Sequence, residues 1–313
     1  MTSIIVEPRR SAVVALAVCL GCLSWAQGSV ALAAAVYATF GTTPGSSGYE
    51  YGFGTFDLAN PTGSPGAYTY AWTTLRSPAA AVLANVAMEP GSGSMVVEYE
   101  FSQFRSISTA GVLSGSLGPT SAYWGMAFDT AGDLYAFSPN GAPWLNLDPA
   151  NGQVLTEGGL VGDVAANDIY STFGGNLAAR PAGGFFMVNQ STVPELVRFG
   201  LADPDAATLL TGTFAGTGFD PLESGLSLFA SGSSLFLLSG SSLFSVDESN
   251  AALTKLGDVS GLPGNFAGFT GATSLVVAVP EPATLGLVAC GGTLMAARRL
   301  RRSRRSGAVA RSR

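Results

Sequence analysis

The sequence predicts an all-β fold, a β-propeller of about five four-stranded blades. Three observations predict it. Between Val36 and Val279 no long stretch carries helical periodicity; short runs of Leu, Phe, Val and Tyr alternate with clusters of Gly, Ser, Asn and Asp, the pattern of strands and turns. Underneath lies a repeat of strand, hairpin, strand, loop, strand, hairpin, strand. The two ends of the region carry incomplete, complementary copies of that repeat. A β-sandwich or an irregular β-solenoid of similar strands is the alternative.

Taken in order, Met1 to about Ala35 reads as a secretory signal. Arg9 and Arg10 form its basic end, Ala12 to Trp25 its apolar core, and Ala31-Leu32-Ala33 and Ala33-Ala34-Ala35 its small-x-small cleavage region. The arginine pair also opens twin-arginine signals, but Ser11-Ala12-Val13-Val14 continues such a motif poorly, so the expected partner is the general secretion translocon.

In residues 36–279, Tyr51 to Leu75 carries only the second half of a repeat. A weak copy follows, with strands near Val82–Met88, Met95–Phe101, Arg105–Ser108 and Val112–Leu117. Ala79 to Val86 is the best short helix candidate, but no cap flanks it. The clearest copy begins at Gly125–Asp129, turns at Ala131-Gly132-Asp133 and runs through Leu134–Phe137. It resumes at Trp144–Asp148, turns at Asn151-Gly152 and ends at Gln153–Thr156. Asn-Gly is a strong hairpin signal because both residues tolerate positive φ. The next copy uses Leu177–Ala179, Phe185–Val188, Leu196–Phe199 and Ala207–Leu210, and the last uses Leu226–Phe229, Leu235–Leu238, Leu243–Asp247 and Leu253–Leu256. Second hairpins begin near Asp57, Ser108, Asp148, Leu201 and Asp247, at intervals of about 40 to 54 residues, the length of a four-stranded blade. Phe266 to Val279 holds only a first half, at Phe269-Thr270-Gly271 and Ser274-Leu275-Val276-Val277. Joining the two half-repeats into one blade would close the ring and remove its free edges.

After the domain, Pro280-Glu281-Pro282 breaks the fold, because proline lacks an amide donor and holds the chain extended. Ala283 to Ala297 is an uncharged, helix-sized apolar segment, and Arg298, Arg299, Arg301, Arg302, Arg304 and Arg305 follow it. Arginines resist transfer through a bilayer, so this order reads as breaker, short membrane helix 283–297 and cytoplasmic anchor. The last 30 or so residues (280–313) resemble the PEP-CTERM sorting signal of Gram-negative bacteria. The resemblance covers none of the preceding domain. It implies that the tail holds an exported protein in the inner membrane until an exosortase-type processing enzyme, recognising Pro280, Glu281 and Pro282, releases it to the cell surface or beyond. A C-terminal anchor that is never cut would show the same order. Bacteria with this system often make exopolysaccharide, so the resemblance also implies that setting.

Charge limits the partners. Between Val36 and Val279 stand nineteen acids and only five bases, Arg76, Arg105, Arg180, Arg198 and Lys255; ten arginines lie in the terminal segments. An acidic body repels phosphate backbones, which argues against nucleic-acid binding. Arginines flanking each terminal apolar segment place the middle outside the inner membrane.

Candidate chemistry is sparse. The chain has no histidine, which removes Ser-His-Asp and Cys-His nucleophile systems and the usual transition-metal sites. Its three cysteines, Cys19, Cys22 and Cys290, lie in the terminal segments, so the domain is expected to fold without disulfides, metals or cofactors. Lys255 reads as a surface lysine. Asp129/Asp133, Asp203/Asp205 and Asp247/Glu248 flank turns, where aspartate bonds nearby amides; none forms a calcium loop. Tyr123, Trp124 and Trp144 suit blade packing or stacking on a sugar ring. The expectation is therefore an exported, non-enzymatic structural or binding component of the envelope or extracellular matrix, associated with polysaccharide. A propeller hydrolase or lyase using two carboxylates is the alternative.

Overall fold

The computed structural model describes residues 35–43, 48–119, 123, 125–137, 144–158, 177–180, 184–189, 194–199, 208–221 and 225–274. The signal segment to Ala34, the Pro-Glu-Pro motif, the 283–297 helix, the arginine cluster, Trp124 and the Asp203/Asp205 pair lie outside them. Every regular element among the described residues is a strand.

The chain begins with β1 (Ala35–Thr42) and β2 (Tyr51–Asp57), then a small hairpin of β3 (Thr62–Ser64) and β4 (Ala67–Ala71), then β5 (Thr73–Ala79). Three meanders follow in order: β6 (Leu83–Met88), β7 (Met95–Tyr99), β8 (Gln103–Ile107) and β9 (Leu113–Pro119); β10 (Gly125–Phe128), β11 (Leu134–Phe137), β12 (Trp144–Leu147) and β13 (Val154–Glu157); β14 (Leu177–Ala179), β15 (Phe185–Asn189), β16 (Glu195–Phe199) and β17 (Thr208–Thr213). The last complete meander is β18 (Ser227–Ser231), β19 (Ser234–Ser239), β20 (Ser242–Val246) and β21 (Leu253–Ser260), and β22 (Phe266–Ser274) ends the domain. Each meander is an antiparallel sheet, and β22, β6, β10, β14 and β18 touch in turn around one axis. The molecule is a five-bladed β-propeller, as the repeat predicts.

The seams between blades are the core. Five hydrophobic clusters are buried, one at each blade-to-blade seam. In β19, Leu235 and Leu237 enter the seam with blade 4, while Phe236 and Leu238 enter the seam with blade 1. A blade buried on both faces needs apolar residues at every position, which explains unbroken runs such as Leu235-Phe236-Leu237-Leu238 where a one-sided sheet would alternate.

Closure differs in detail from the expectation of two half-repeats. Blade 1 has the order β22-β1-β2-β5, so the C-terminal segment supplies one strand and the N-terminal segment three. β1 extends back to Ala35, where the sequence offered only a signal boundary, and pairs along its length with β22, from Val36↔Ser274 to Thr42↔Phe266. Of Ser274-Leu275-Val276-Val277, the described residues include only Ser274. Side chains on β22 reach both neighbours: Thr270 Oγ1 donates to the Leu83 carbonyl at 2.9 Å, the Met88 amide donates to Thr273 Oγ1 at 3.1 Å, and the hydroxyls of Ser274 and Ser231 lie 3.1 Å apart.

Two further local readings are corrected. Ala79–Val86 is not a helix: Ala79 ends β5 and Leu83 begins β6, because β-sheet pairing on both sides outweighs a short, uncapped helical tendency. The Tyr51–Leu75 stretch is more than half a blade. Between β2 and β5 it sends the β3–β4 arm to blade 5, where β4 pairs in parallel with β21, Gly257↔Tyr68 through Ser260↔Ala71, making that sheet six-stranded.

Candidate functional site

Two features stand out: a hollow on the axis and one buried carboxyl group. The inner strands all run the same way, and where they end they line a small hollow of about 20 Å³, partly open to solvent. Met88, Met126, Phe128 and Phe229 line it with alanines from β10, β14, β18 and β22, and Thr273 and Ser274 are its polar residues. Among the described residues no ionisable side chain lines it. β1 starts and β22 finishes at this same end, where Ser274 Oγ donates to the Ala35 carbonyl at 3.2 Å.

The buried carboxyl is Glu98, the fourth residue of β7, with no exposed surface. It lies opposite Phe104 and faces the seam between blades 2 and 3. Asn85 Nδ2 donates to Oε2 at 2.8 Å, and the Tyr123 amide donates to Oε1 at 3.1 Å. Asn85 Nδ2 also donates to the Tyr123 carbonyl at 2.7 Å, and Asn85 Oδ1 is buried with no partner among the described residues. Asn85 occupies a bulge in β6 with φ at 41°. Gly271 of β22 makes room for it: a Cβ there would meet the Asn85 Cα and the Val86 amide nitrogen, each at 2.9 Å. Burial pushes the Glu98 pKa up to about 7, and the two hydrogen bonds only partly offset it. Glu98 was not among the sequence candidates. A lone Glu in an otherwise apolar run, Met95-Val96-Val97-Glu98, was the available signal.

The sequence candidates among the described residues make local structural contacts. Asp148 and Asp247 begin matching turns. Each carboxylate accepts the amide two residues on, from Ala150 at 2.8 Å and Ser249 at 2.9 Å, and each turn's asparagine caps the next strand's entry. Asp57 does the same for Ala59, at 2.8 Å, before the arm. Asp129 Oδ1 accepts the amides of Ala131 and Asp133, each at 2.9 Å. Serine donors hold the Asp247 carboxyl below its usual range, and Glu248 pairs with Arg180 at 2.6 Å. Lys255 pairs with Asp258 at 2.8 Å on β21. Tyr123 is buried, stacked on Phe104; Trp144 is half-buried against Tyr135. Ala35 is the first residue of β1, opposite Asp57. Ala31, Ala33 and the tail motifs lie outside the described residues. Among the described residues, no group of three acidic, Cys or His side chains could hold a metal ion.

No protein-family model and no curated protein matches the chain. Solved structures resemble it in fold. A chain of the nidogen/laminin complex superposes with a TM-score of 0.45 at 10% identity, covering 76% of this chain and 97% of that one. TolB from Acinetobacter baumannii gives 0.42 at 11%, covering 78% and 67%. Virginiamycin B lyase from Staphylococcus aureus gives 0.36 at 12%, covering 70% of each chain.

Proposed function

We propose that the protein is an exported, non-enzymatic component of the cell envelope or extracellular matrix, delivered by its C-terminal tail and acting as a structural or binding propeller, with polysaccharide as its setting. The observation that carries the reading is the order at the C-terminus: Pro280-Glu281-Pro282, an apolar segment and the arginine cluster. The structure supports it in two ways. The last described strand ends at Ser274, just before the motif, and Ser274 bonds to Ala35. The first and last described residues of the domain, Ala35 and Ser274, therefore lie at one end of the propeller, as suits a domain with a membrane signal at each terminus. The described residues around the axial hollow are Met, Leu, Phe, Ala, Thr and Ser, an apolar lining with two hydroxyls that suits packing or binding. Secreted protein examined by mass spectrometry should begin near Ala34 or Val36 and lack the arginines. Intact Met1–Arg313 recovered from the cytoplasm would overturn the reading.

A polysaccharide hydrolase or lyase has one observation in its favour: Glu98 keeps a proton near neutrality, as a general acid must. Its complete burial and its neutral partners count against that role.

A further inference from the structure

One residue outside the sheets covers Glu98. β7 pairs along its length with β6 on one side and β8 on the other, so none of these strands can move without breaking a ladder. Tyr123 lies ahead of β10 and belongs to no strand. Its amide donates to Glu98 Oε1 at 3.1 Å, and its carbonyl accepts from Asn85 Nδ2 at 2.7 Å. Its ring stacks on Phe104 with the centroids 5.9 Å apart. Glu98 and Asn85 thus grip both backbone groups of Tyr123 and tie the entry of blade 3 to blade 2. The clip stores strain, because Asn85 holds a left-handed backbone, with φ at 41°, that residues other than glycine rarely adopt.

No charge offsets an ionised Glu98. On its face of the blade stand Val96 of β7, Phe104 of β8, Met126 of β10 and Tyr123, and the Tyr123 phenol is the one other titratable group among them. β6 contributes Asn85, and Thr39 and Gly271 lie beside Asn85 from β1 and β22, all without charge. Arg105 and Tyr99 stack on each other at the opposite face, and Glu100 is exposed in the turn beyond β7. A buried carboxylate without a cation gains most from water. Water reaches it at least cost if Tyr123 swings away, because that breaks two hydrogen bonds and one ring stack and leaves every ladder intact.

We propose that Tyr123 is a pH-sensitive latch between blades 2 and 3, shut over Glu98 while the carboxyl is protonated and opening more readily as it ionises. The test is hydrogen exchange at the Tyr123 amide in full-length protein purified in detergent, at pH 6 and pH 8.5, corrected for the pH dependence of an unstructured chain. A carboxyl that titrates near 4.5 when the latch is open and at about 7 when it is shut should raise the opening constant about tenfold over that interval. The amides of β7 and β11 should change much less. Glu98→Gln, neutral at both pH values, should abolish the difference, and Glu98→Leu serves the same purpose if the glutamine variant does not fold. Equal corrected exchange at the two pH values in the wild type would overturn the latch without recourse to any variant. A pH dependence that persists in the Glu98 variants, or one shared equally by Tyr123 and the β7 and β11 amides, would overturn it as well, the last by showing that the whole domain opens together.

Discussion

Glu98 is a carboxyl group removed from water with two neutral donors and no cation beside it. Its folded pKa of about 7 stands above the ordinary carboxyl value of 4.5, so between those values the folded protein keeps a proton that the unfolded chain has released. Stability from this group is fully present below about pH 4.5, falls as the pH rises towards 7 and levels off above. At about 1.4 kcal/mol per pH unit, the loss is on the order of 3 kcal/mol. Glu98→Gln, neutral at every pH, should remove the slope: its urea midpoint should stay flat from pH 5 to 8 and exceed the wild type above 7. A variant that keeps the wild-type slope would assign the dependence to another group. The turn aspartates are legible in the sequence because their chemistry is local: Asp148 and Asp247 each bond an amide two residues away. Glu98 is not, because its burial depends on Asn85 and Tyr123, brought to it by pairing and by the neighbouring blade. Arg105 was visible as a rare base, but only the fold sets it over the Tyr99 ring.

Among the elements, β1 and the β3–β4 arm are not announced by the repeat, and the arm has the larger consequence. It leaves blade 1 and adds a parallel strand to the outer edge of blade 5, covering an edge that would otherwise be open to pairing with another chain. Its approach is close. A Cβ on Gly257 would lie 1.9 Å from the Tyr68 carbonyl oxygen, so only glycine admits the arm there. Trp72, where the arm rejoins blade 1, is buried against Phe40 and Phe269, and Gly54 leaves space for its ring. Gly257→Val should drive the arm from β21 while the blade persists. Hydrogen exchange at the amides of residues 67–71 should rise sharply, with the amides of β18 and β19 still protected. Continued protection of the arm would show that β21 accommodates the side chain by shifting.

At the scale of the whole molecule, β22 decides whether the ring is closed. It is the inner strand of blade 1, pairs with β1 and touches β6 and β18. Losing Phe269 alone, fully buried, costs about 3–5 kcal/mol by analogy with other large core truncations, and the strand's hydrogen bonds add to this. A chain ending before Phe266 should melt on the order of 10 °C or more below one ending after Val279. Equal melting temperatures would mean that closure contributes nothing and that the blades hold together by side-chain packing alone.

The fold class, the blade count, most strand positions and the turns at the second hairpins are legible in the order of the residues. All of these follow from short-range chemistry: apolar runs set by burial on both blade faces, and Asp, Asn and Gly setting the local bends. Tertiary structure alone decided the one-plus-three division of blade 1, the crossing of the arm to blade 5, the burial of Glu98 and the seam around Arg105. Each depends on which edge a strand meets. Backbone donors and acceptors are the same on every strand, so the choice of partner rests on packing between residues as distant in the chain as Val36 and Ser274.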